Sequence, residues 1–251
     1  MRYFLRLAYD GAGFHGWQTQ PNACSVQQTI ESALSTVLRR PTPIVGAGRT
    51  DTGVNARTMY AHFDTDSPIA DPGRFLTGLN RLVGHGISLQ RLIEVHPEAH
   101  ARFDATERSY KYFVALEKSP FLRASSWYSP TALDVDAMNE AAALLPATSD
   151  FTSFAKLHSD ARTNICDVRH ALWTSYDNPF GVPGLVFTIT ADRFLRNMVR
   201  SVVGTLVDVG RGKISHRDFQ TSIERRDRCA AGTSMPPQAL FLWDVKYPYI
   251  D

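Results

Sequence analysis

The fold is indicated first by residues 2–9, which read RYFLRLAY. Bulky apolar and aromatic side chains occupy the odd positions, while Arg6 and Ala8 lie between them, and a period of two residues is typical of a half-buried strand. Two turn-rich segments follow, and then Ser25 opens the pattern SVQQ, which is typical of a capping box at the start of a helix. Apolar residues recur on one face of that helix until Pro41 ends it. The chain therefore begins with a strand followed by an amphipathic helix.

Strands and helices continue to alternate along the rest of the chain. The further helices are predicted after Asp71, over 134–145, over 194–209 and after Ser215, and the further strands over 110–114, 185–191 and 241–247. The predicted strands are amphipathic rather than continuously apolar, which favours antiparallel sheets with helices on one face over a doubly wound parallel sheet. We therefore expect an α+β fold in two halves, an N-terminal half over 1–105 and a C-terminal half over 106–251.

Composition excludes several classes of protein. The 251 residues are 43% hydrophobic and 21% charged, which allows a sizeable core and excludes collagen-like, disordered and coiled-coil chains. No apolar run reaches the length of a membrane span, and the N-terminus lacks the apolar core of a signal peptide. The three cysteines are far apart and the eight histidines form no convincing ligand set, so we expect neither a disulfide framework nor a metal site. Free thiols suit a cytoplasmic location.

The charge of the chain is nearly balanced overall but not locally. The 27 basic and 25 acidic residues give a net charge of +2, whereas residues 193–228 contain nine basic and four acidic side chains. Within that window Arg193, Arg196 and Arg200 recur at i, i+3 and i+7, so they are expected to line one face of the predicted helix. The face fits either a solvated surface or a stripe that binds phosphate, and the preference for arginine over lysine is typical of phosphate contacts.

The segment 46–57, which reads GAGRTDTGVNAR, combines closely spaced glycines with one carboxylate, Asp51, between Arg49 and Arg57. An arginine nearby lowers the pKa of an aspartate and keeps it ionised, and an ionised, positioned carboxylate can act as a nucleophile or a general base. A glycine-rich turn capped by its own aspartate explains the same composition. The segment fails the dinucleotide-binding and P-loop patterns, because it lacks the third glycine of the first and the lysine of the second.

The tripeptide Asp51-Thr52-Gly53 also matches the motif of aspartic proteases. Those enzymes need two aspartates that share one proton, so a chain with a single such motif would have to act as a homodimer. The flanking arginines disfavour this chemistry, since they stabilise the ionised form of both carboxylates. The proteolytic hypothesis is therefore the weakest of those that the segment allows.

A second candidate element is the predicted strand that contains Tyr110, Lys111 and Tyr112. Its two tyrosines lie on one face with Lys111 opposite, and tyrosine is a stacking platform for an unstacked base. A core strand with satisfied hydroxyl groups explains the same pattern, and this is the better explanation for at least one of the two tyrosines.

Several motifs, taken in their order along the chain, resemble those of the TruA-type tRNA pseudouridine synthases. The segment 48–54, GRTDTGV, is similar to the family signature, in which alanine usually stands in place of Thr52 and histidine in place of Asn55. The other matching segments are 9–18, 101–112, 150–154, 194–204 and 236–248. Together the motifs extend over nearly the whole chain, and several ordered motifs are more specific than any one of them.

The resemblance implies a fold and a reaction. The fold would consist of two ferredoxin-like α+β halves that join in one long, mostly antiparallel sheet, with helices on one face. The reaction would be the isomerisation of uridine to pseudouridine at positions 38, 39 and 40 in the anticodon stem-loop of tRNA. The family acts as a homodimer and uses no metal or organic cofactor, so tRNA and a second copy of the chain are the expected partners.

The resemblance also implies roles for individual residues. Asp51 would be the essential aspartate, and Arg200 would be its ion-pair partner. Tyr110 would stack on the target base, and Arg49 would help to hold that base out of the helix. The further candidates for substrate binding are Arg57, Arg193, Arg196 and Lys111. A non-catalytic tRNA-binding module or chaperone on the same fold is the alternative, and the joint presence of the aspartate, the tyrosine and the arginine disfavours it as the only role.

Overall fold

A computed structural model describes residues 1–156 and 162–250 of the chain. The chain divides into two compact units. The first unit comprises Met1–Thr106 together with Leu242–Asp251, and the second comprises Glu107–Phe241. Within the described ranges, no helix is long and apolar enough to cross a membrane.

The first unit is an antiparallel sheet with two helices. Its elements are β1 (Arg2–Tyr9), α1 (Val26–Leu38), β2 (Val45–Gly46), β3 (Asn55–Asp64), α2 (Pro72–Leu82) and β4 (Ile87–Val95). The strands lie in the order β4-β1-β3-β2, and every neighbouring pair is antiparallel. This βαββαβ sequence of elements is the ferredoxin-like arrangement.

The second unit also combines an antiparallel sheet with helices. Its elements are β5 (Glu107–Ala115), β6 (Trp127–Tyr128), α3 (Val135–Ala142), β7 (Val168–Tyr176), β8 (Gly184–Ala191), α4 (Met198–Gly210) and α5 (His216–Glu224), and β9 (Leu240–Lys246) follows. The strands β5, β8 and β7 pair antiparallel in that order, while β6 pairs parallel with β5. The predicted α+β class is confirmed.

Helices α1 and α2 cover one face of the first sheet. The ring of Tyr3 stacks on Phe63 with 5.9 Å between centroids, and Phe63 stacks on Phe75 of α2 at 6.3 Å. Because side chains alternate along a strand, the odd-numbered residues of β1 face the helices. The even-numbered residues lie on the opposite face, where the ring of Phe4 contacts Tyr247 at 5.2 Å.

The C-terminal segment lies in a different unit from the one that the sequence indicated. The prediction placed all of 106–251 in one half, whereas the chain from Leu242 belongs to the first unit. Tyr247 shows the physical reason, because it is buried there and its hydroxyl donates a hydrogen bond to the carbonyl of Ala101 at 2.5 Å. The alternation of apolar and polar residues predicts a strand, but it does not predict to which sheet the strand belongs.

The prediction of one basic helix face over Arg193, Arg196 and Arg200 is wrong. Helix α4 begins later than predicted, at Met198, because the backbone of Asn197 is left-handed, with a φ of 66°. The first two arginines therefore lie in the connection before the helix, and only Arg200 lies on it. Almost every residue of α4 is buried, so the helix does not have the broad solvated face that the pattern suggested.

Candidate active site

Asp51 lies in a tight turn immediately before β3, and residues 51–54 are called the Asp51 turn below. The N–H of Val54 donates a hydrogen bond to the carbonyl of Asp51 at 3.1 Å, which closes the turn. Gly53 has a φ of 76°, a left-handed conformation that glycine adopts without the steric cost that a Cβ imposes. Asp51 is half-buried and Thr52 is exposed, so the turn presents its carboxylate at a rim rather than inside the core.

Buried hydrogen bonds hold both ends of the Asp51 turn. Before the turn, the hydroxyl groups of Tyr9 and Thr50 lie 2.8 Å apart. After it, the side-chain oxygen of Asn55 accepts the N–H of Gly11 at 2.8 Å. Both contacts are buried, where a hydrogen bond is protected from competition with water and is costly to break. The turn is therefore held by residues that lie about forty positions away in the sequence.

Two glycines of the segment 9–18 allow the chain to approach the Asp51 turn closely. A Cβ on Gly11 would lie 2.3 Å from the carbonyl oxygen of Val54, and a Cβ on Gly16 would lie 2.5 Å from that of Thr50. Real Cβ atoms do not come so near, so larger residues would displace the loop. The glycines of this segment therefore have a structural role beside the Asp51 turn, which their spacing in the sequence does not indicate.

Tyr110 and Tyr112 follow one another on one face of β5 but differ in exposure. Tyr112 is fully buried and its hydroxyl donates to the carbonyl of Pro236 at 3.1 Å, while burial raises its pKa far above the usual range. Tyr110 is half-buried, and its ring meets Phe194 edge-on with centroids 5.1 Å apart. Lys111 is half-buried and lies opposite Thr188 of β8. Tyr112 is a core residue, so Tyr110 is the one that retains an accessible ring.

Arg200 lies in the first turn of α4, and a hydrogen bond to a backbone carbonyl holds its side chain. Its Nε donates a hydrogen bond to the carbonyl of Met235 at 2.6 Å, and the N–H of Met235 donates to the carbonyl of Arg200 at 3.1 Å. This reciprocal pair of hydrogen bonds fixes the direction of the guanidinium group. The group is planar, so a hydrogen bond at Nε restricts its rotation.

Residues 231–235, called the strap below, run across α4 and carry the carbonyl that grips Arg200. A Cβ on Gly204 would lie only 1.9 Å from the carbonyl oxygen of Thr233, so glycine is required on the helix where the strap crosses. Beside it, the hydroxyl of Thr205 accepts the N–H of Gly232 at 2.9 Å. The strap therefore rests directly on the helix backbone.

The strap is also fixed through the side chain of Ser234. Its hydroxyl oxygen accepts hydrogen bonds from the side-chain amide of Asn197 at 2.6 Å and from Nη2 of Arg228 at 3.0 Å. Asn197 is the left-handed residue that precedes α4, so one residue both sets the start of the helix and holds the strap. This network could not be predicted from the sequence, because Ser234 and its partners follow no local pattern.

The other basic candidates lie in two separate settings. Arg193 donates from Nη1 to the carbonyl of Thr163 at 3.4 Å, and the carbonyl of the exposed Arg196 accepts the N–H of Lys156 at 3.0 Å. In the first unit, Arg49 is exposed in the loop of Asp51, while Arg57 is exposed on β3. Each unit thus carries part of the candidate set, with Asp51, Arg49 and Arg57 in the first and the other basic residues in the second. Among the described residues no group of carboxylates, histidines and cysteines is arranged to hold a metal ion.

Comparison with known proteins identifies close relatives. The family model described as tRNA pseudouridine synthase matches residues 141–248. Curated relatives called tRNA pseudouridine synthase A are 53% identical in Parabacteroides distasonis and in Bacteroides fragilis, in each case over 247 residues that cover 98% of this chain and 96% of the relative. The enzyme of that name from Caldicellulosiruptor bescii is 39% identical over 245 residues, 97% of this chain and 98% of its own. A protein from Galdieria sulphuraria with a solved structure matches with a TM-score of 0.26 and 8% identity over 90% of each chain, a likeness too weak to support an argument.

Proposed function

Since the chain belongs to the tRNA pseudouridine synthase A family and isomerises uridine in tRNA, we propose that it acts at positions 38, 39 and 40, in the anticodon stem-loop. The membership rests on 53% identity over nearly the full length of both chains. The choice of positions rests on the ordered motifs of the sequence, above all the segment 48–54 that surrounds Asp51.

The reaction defines what the protein must supply. The bond between N1 of uracil and C1′ of the ribose breaks, the base turns, a bond forms between C5 and C1′, the proton on C5 leaves and N1 gains a proton. Nothing is oxidised or reduced and no atom is gained, so the balance requires no co-reactant, and we propose that no metal or organic cofactor takes part. A uracil inside a stem must first leave the stack, which costs a few kcal/mol.

Asp51 is the proposed catalytic carboxylate. It is compatible with three routes, namely attack on C1′, attack on C6 of the base, or abstraction of the 2′ proton, and each route requires the ionised form. The observation that carries the proposal is the braced Asp51 turn, in which buried contacts on both sides hold a half-buried carboxylate at a fixed place. Such fixed placement of a reacting group lowers the entropic part of a barrier.

The other candidate residues have supporting roles in this proposal. The accessible ring of Tyr110 stacks on the extruded base, which offsets part of the cost of unstacking. Arg200, aimed by the carbonyl of Met235, supplies positive charge to the reaction. Arg49, Arg193 and Arg196 contribute contacts to tRNA, and we propose further that the enzyme acts as a homodimer in the cytoplasm, where tRNA and reduced thiols such as the free cysteines of this chain occur together.

The exchange of one carboxyl oxygen for an amide nitrogen tests the role of Asp51. We expect Asp51→Asn to reduce pseudouridine formation to less than about one thousandth of the wild-type rate, as is usual for a residue that reacts with substrate, while tRNA binding stays within about threefold. The matched control is Asp66→Asn, which removes only an exposed ion pair with Arg40 and should keep full activity. Activity of Asp51→Asn within tenfold of wild type, measured by pseudouridine mapping in tRNA, would refute the assignment.

A further inference from the structure

Trp17 is a buried aromatic residue to which the proposed reaction gives no role. It lies in the segment 9–18 beside the Asp51 turn, and only 3% of its surface is exposed. Its indole can donate a hydrogen bond, but it does not titrate near neutral pH and is not a nucleophile. Any part that Trp17 plays in the reaction must therefore be indirect, through the residues that it contacts.

The start of α1 holds the backbone of Trp17. The carbonyl of Trp17 accepts the N–H of Gln27 at 3.0 Å, and the carbonyl of Gly16 accepts the N–H of Val26 at 3.2 Å. Both donors belong to the first turn of the helix, where an N–H group has no partner within the helix itself. Val26 is fully buried, so this end of α1 is part of the core. Trp17 is thus attached to a rigid element of the first unit.

Residues 46–50, called the lead-in below, run from β2 to the Asp51 turn. The beginning of the lead-in is attached to β3, where the N–H of Ala47 donates a hydrogen bond to the carbonyl of Tyr60 at 2.8 Å. Its last residue, Thr50, is buried and directly precedes Asp51. The place of the carboxylate therefore depends on the path that the lead-in takes between these two ends.

Trp17 contacts both ends of the lead-in. Its N–H donates a hydrogen bond to the carbonyl of Thr50 at 3.2 Å. At the other end its indole lies directly against Gly46, where a Cβ would be 2.5 Å from Cε2 and 2.6 Å from Cζ2 of the ring. Glycine therefore leaves the space that the indole fills. Because one residue contacts both ends, the size of its ring sets the spacing between them.

The indole also continues the buried contacts that precede the Asp51 turn. The ring of Tyr9 lies beside that of Trp17, with 6.3 Å between centroids, and the hydroxyl of Tyr9 is 2.8 Å from that of Thr50. Protein interiors are close-packed, so a change in ring volume at this place either opens a void or moves its neighbours. Packing against the indole thus restricts the lead-in to one path.

We propose that Trp17 is a positioning residue for the reaction, whose backbone N–H and indole hold the two ends of the lead-in at a fixed spacing and thereby place the carboxylate of Asp51. Trp17 acts through the lead-in and not on the substrate. The inference rests on the proposed function, because it requires that Asp51 reacts with the substrate. It adds the packing of a ring against a glycine to the hydrogen bonds that hold the Asp51 turn.

Single-turnover kinetics of Trp17→Leu test the proposal. We expect the rate of pseudouridine formation at saturating enzyme to fall by about tenfold to hundredfold, as for a reacting group displaced by a fraction of an ångström to about 1 Å. The Kd for tRNA should stay within about twofold, because a buried ring makes no contact with RNA. Trp17→Phe keeps a flat ring and should lose less. A rate for Trp17→Leu within twofold of wild type would overturn the proposal.

A second buried tryptophan separates positioning from a general loss of stability. Trp173 of β7 lies in the core of the second unit, with 2% of its surface exposed. Trp173→Leu should lower Tm, as Trp17→Leu does, but keep the rate within about twofold of wild type. All rates are measured at a temperature where circular dichroism shows each variant to be folded. Equal rate losses in the two leucine variants would mean that Trp17 has only a structural role.

A double-mutant cycle with Gly46 tests the contact itself. Gly46→Ala alone forces a methyl group against the indole and should lower the rate by about tenfold. In the Trp17→Leu background the methyl group has room, so the double variant should lose no more than Trp17→Leu alone. If the loss in the double variant equals the product of the two single losses, the ring and the glycine act independently and the proposal is wrong.

Asp51→Asn, measured in the same assays, distinguishes a failure of the catalytic assignment from a failure of positioning. If Asp51→Asn stays within tenfold of wild type, the assignment of Asp51 fails, and the positioning role of Trp17 fails with it. If Asp51→Asn is inactive while Trp17→Leu has the wild-type rate, only the positioning role fails. Inactive Asp51→Asn together with a slow, normally binding Trp17→Leu is the result that supports both.

Discussion

The Asp51 turn and the beginning of α4 hold their charged side chains in different ways. The Asp51 turn is fixed by hydrogen bonds from side chains, the Tyr9–Thr50 pair before it and Asn55 after it. Arg200 is fixed by backbone, since the strap lies against α4 and offers it a carbonyl. Removal of single side chains should therefore weaken the Asp51 turn gradually. The position of Arg200 should instead respond most strongly to a larger residue on α4 beneath the strap.

Among the substitutions that test this comparison, the largest effect is expected where the strap crosses α4. Gly204→Ala places a methyl group 1.9 Å from the carbonyl oxygen of Thr233 unless the strap moves, and that movement shifts the carbonyl of Met235 away from Arg200. We expect kcat to fall by about a hundredfold, as for a misplacement of about 1 Å, and the free energy of unfolding to fall by about 1–3 kcal/mol.

A matched glycine separates this steric effect from the helix propensity of alanine. A Cβ on Gly78 of α2 would meet no atom within 4 Å, so Gly78→Ala should stabilise the protein by up to about 1 kcal/mol and leave activity unchanged. If Gly204→Ala behaves like Gly78→Ala in single-turnover assays, the strap does not position Arg200.

A smaller effect is expected from loosening the Asp51 turn. Asn55→Ala removes the acceptor for the buried N–H of Gly11, which should lower the free energy of unfolding by about 1–3 kcal/mol and kcat by about tenfold. Asn55→Asp keeps an oxygen in the same place and should restore most of the activity. Equal kcat values for the alanine and aspartate variants would show that this hydrogen bond does not hold the catalytic carboxylate.

The smallest effect is expected on the pH dependence of stability, and it comes from His62, which is buried near the C-terminal end of β3. Its Nδ1 accepts the N–H of Ala101 at 3.1 Å, and burial, assisted by Arg2 and His100, lowers its pKa to about 4. The neutral form is favoured in the folded state, so the contribution of His62 to stability is complete above its unfolded pKa of about 6.5 and is lost as pH falls from there toward 4.

Chemical denaturation across this pH range measures the contribution of His62. We expect His62→Gln to show a weaker loss of stability between pH 6.5 and 4 than the wild type, since the variant has no imidazole to protonate at that position. His85→Gln, at an exposed histidine, is the control and should follow the wild-type curve. Identical slopes for His62→Gln and wild type would contradict the expected role of burial at this position.

Much of the fold could be predicted because local patterns determine it. Strand β1 occupies the residues that alternate, and the capping boxes predicted at Ser25 and Ser215 each accept a backbone N–H at the start of a helix. The helices predicted after Asp71 and over 134–145 likewise begin where the side chain of Asp71 or Asp134 accepts a backbone N–H. The helix after Asp134 ends earlier than predicted, at Ala142. Side-chain caps act over three residues, so they are visible in the sequence.

Other elements could not be predicted because their patterns depend on distant partners. Strand β3 is buried on both faces over most of its length, so it shows no alternation and was not predicted. The start of α4 depends on the left-handed backbone of Asn197, which lies inside an apparently helical pattern. In the candidate site, the motif marked Asp51, but the Tyr9–Thr50 contact joins positions that only the folded sheet brings together.

The central claim is that the fixed carboxylate of Asp51 drives isomerisation of uridine in the anticodon stem-loop. The most direct test is to incubate unmodified tRNA with wild-type protein or with Asp51→Asn, and to map pseudouridine at every position by mass spectrometry. We expect the wild type to form pseudouridine at positions 38, 39 and 40 and the variant to form none, although both bind the tRNA. Pseudouridine at other positions only, or equal yields from the two proteins, would contradict the account.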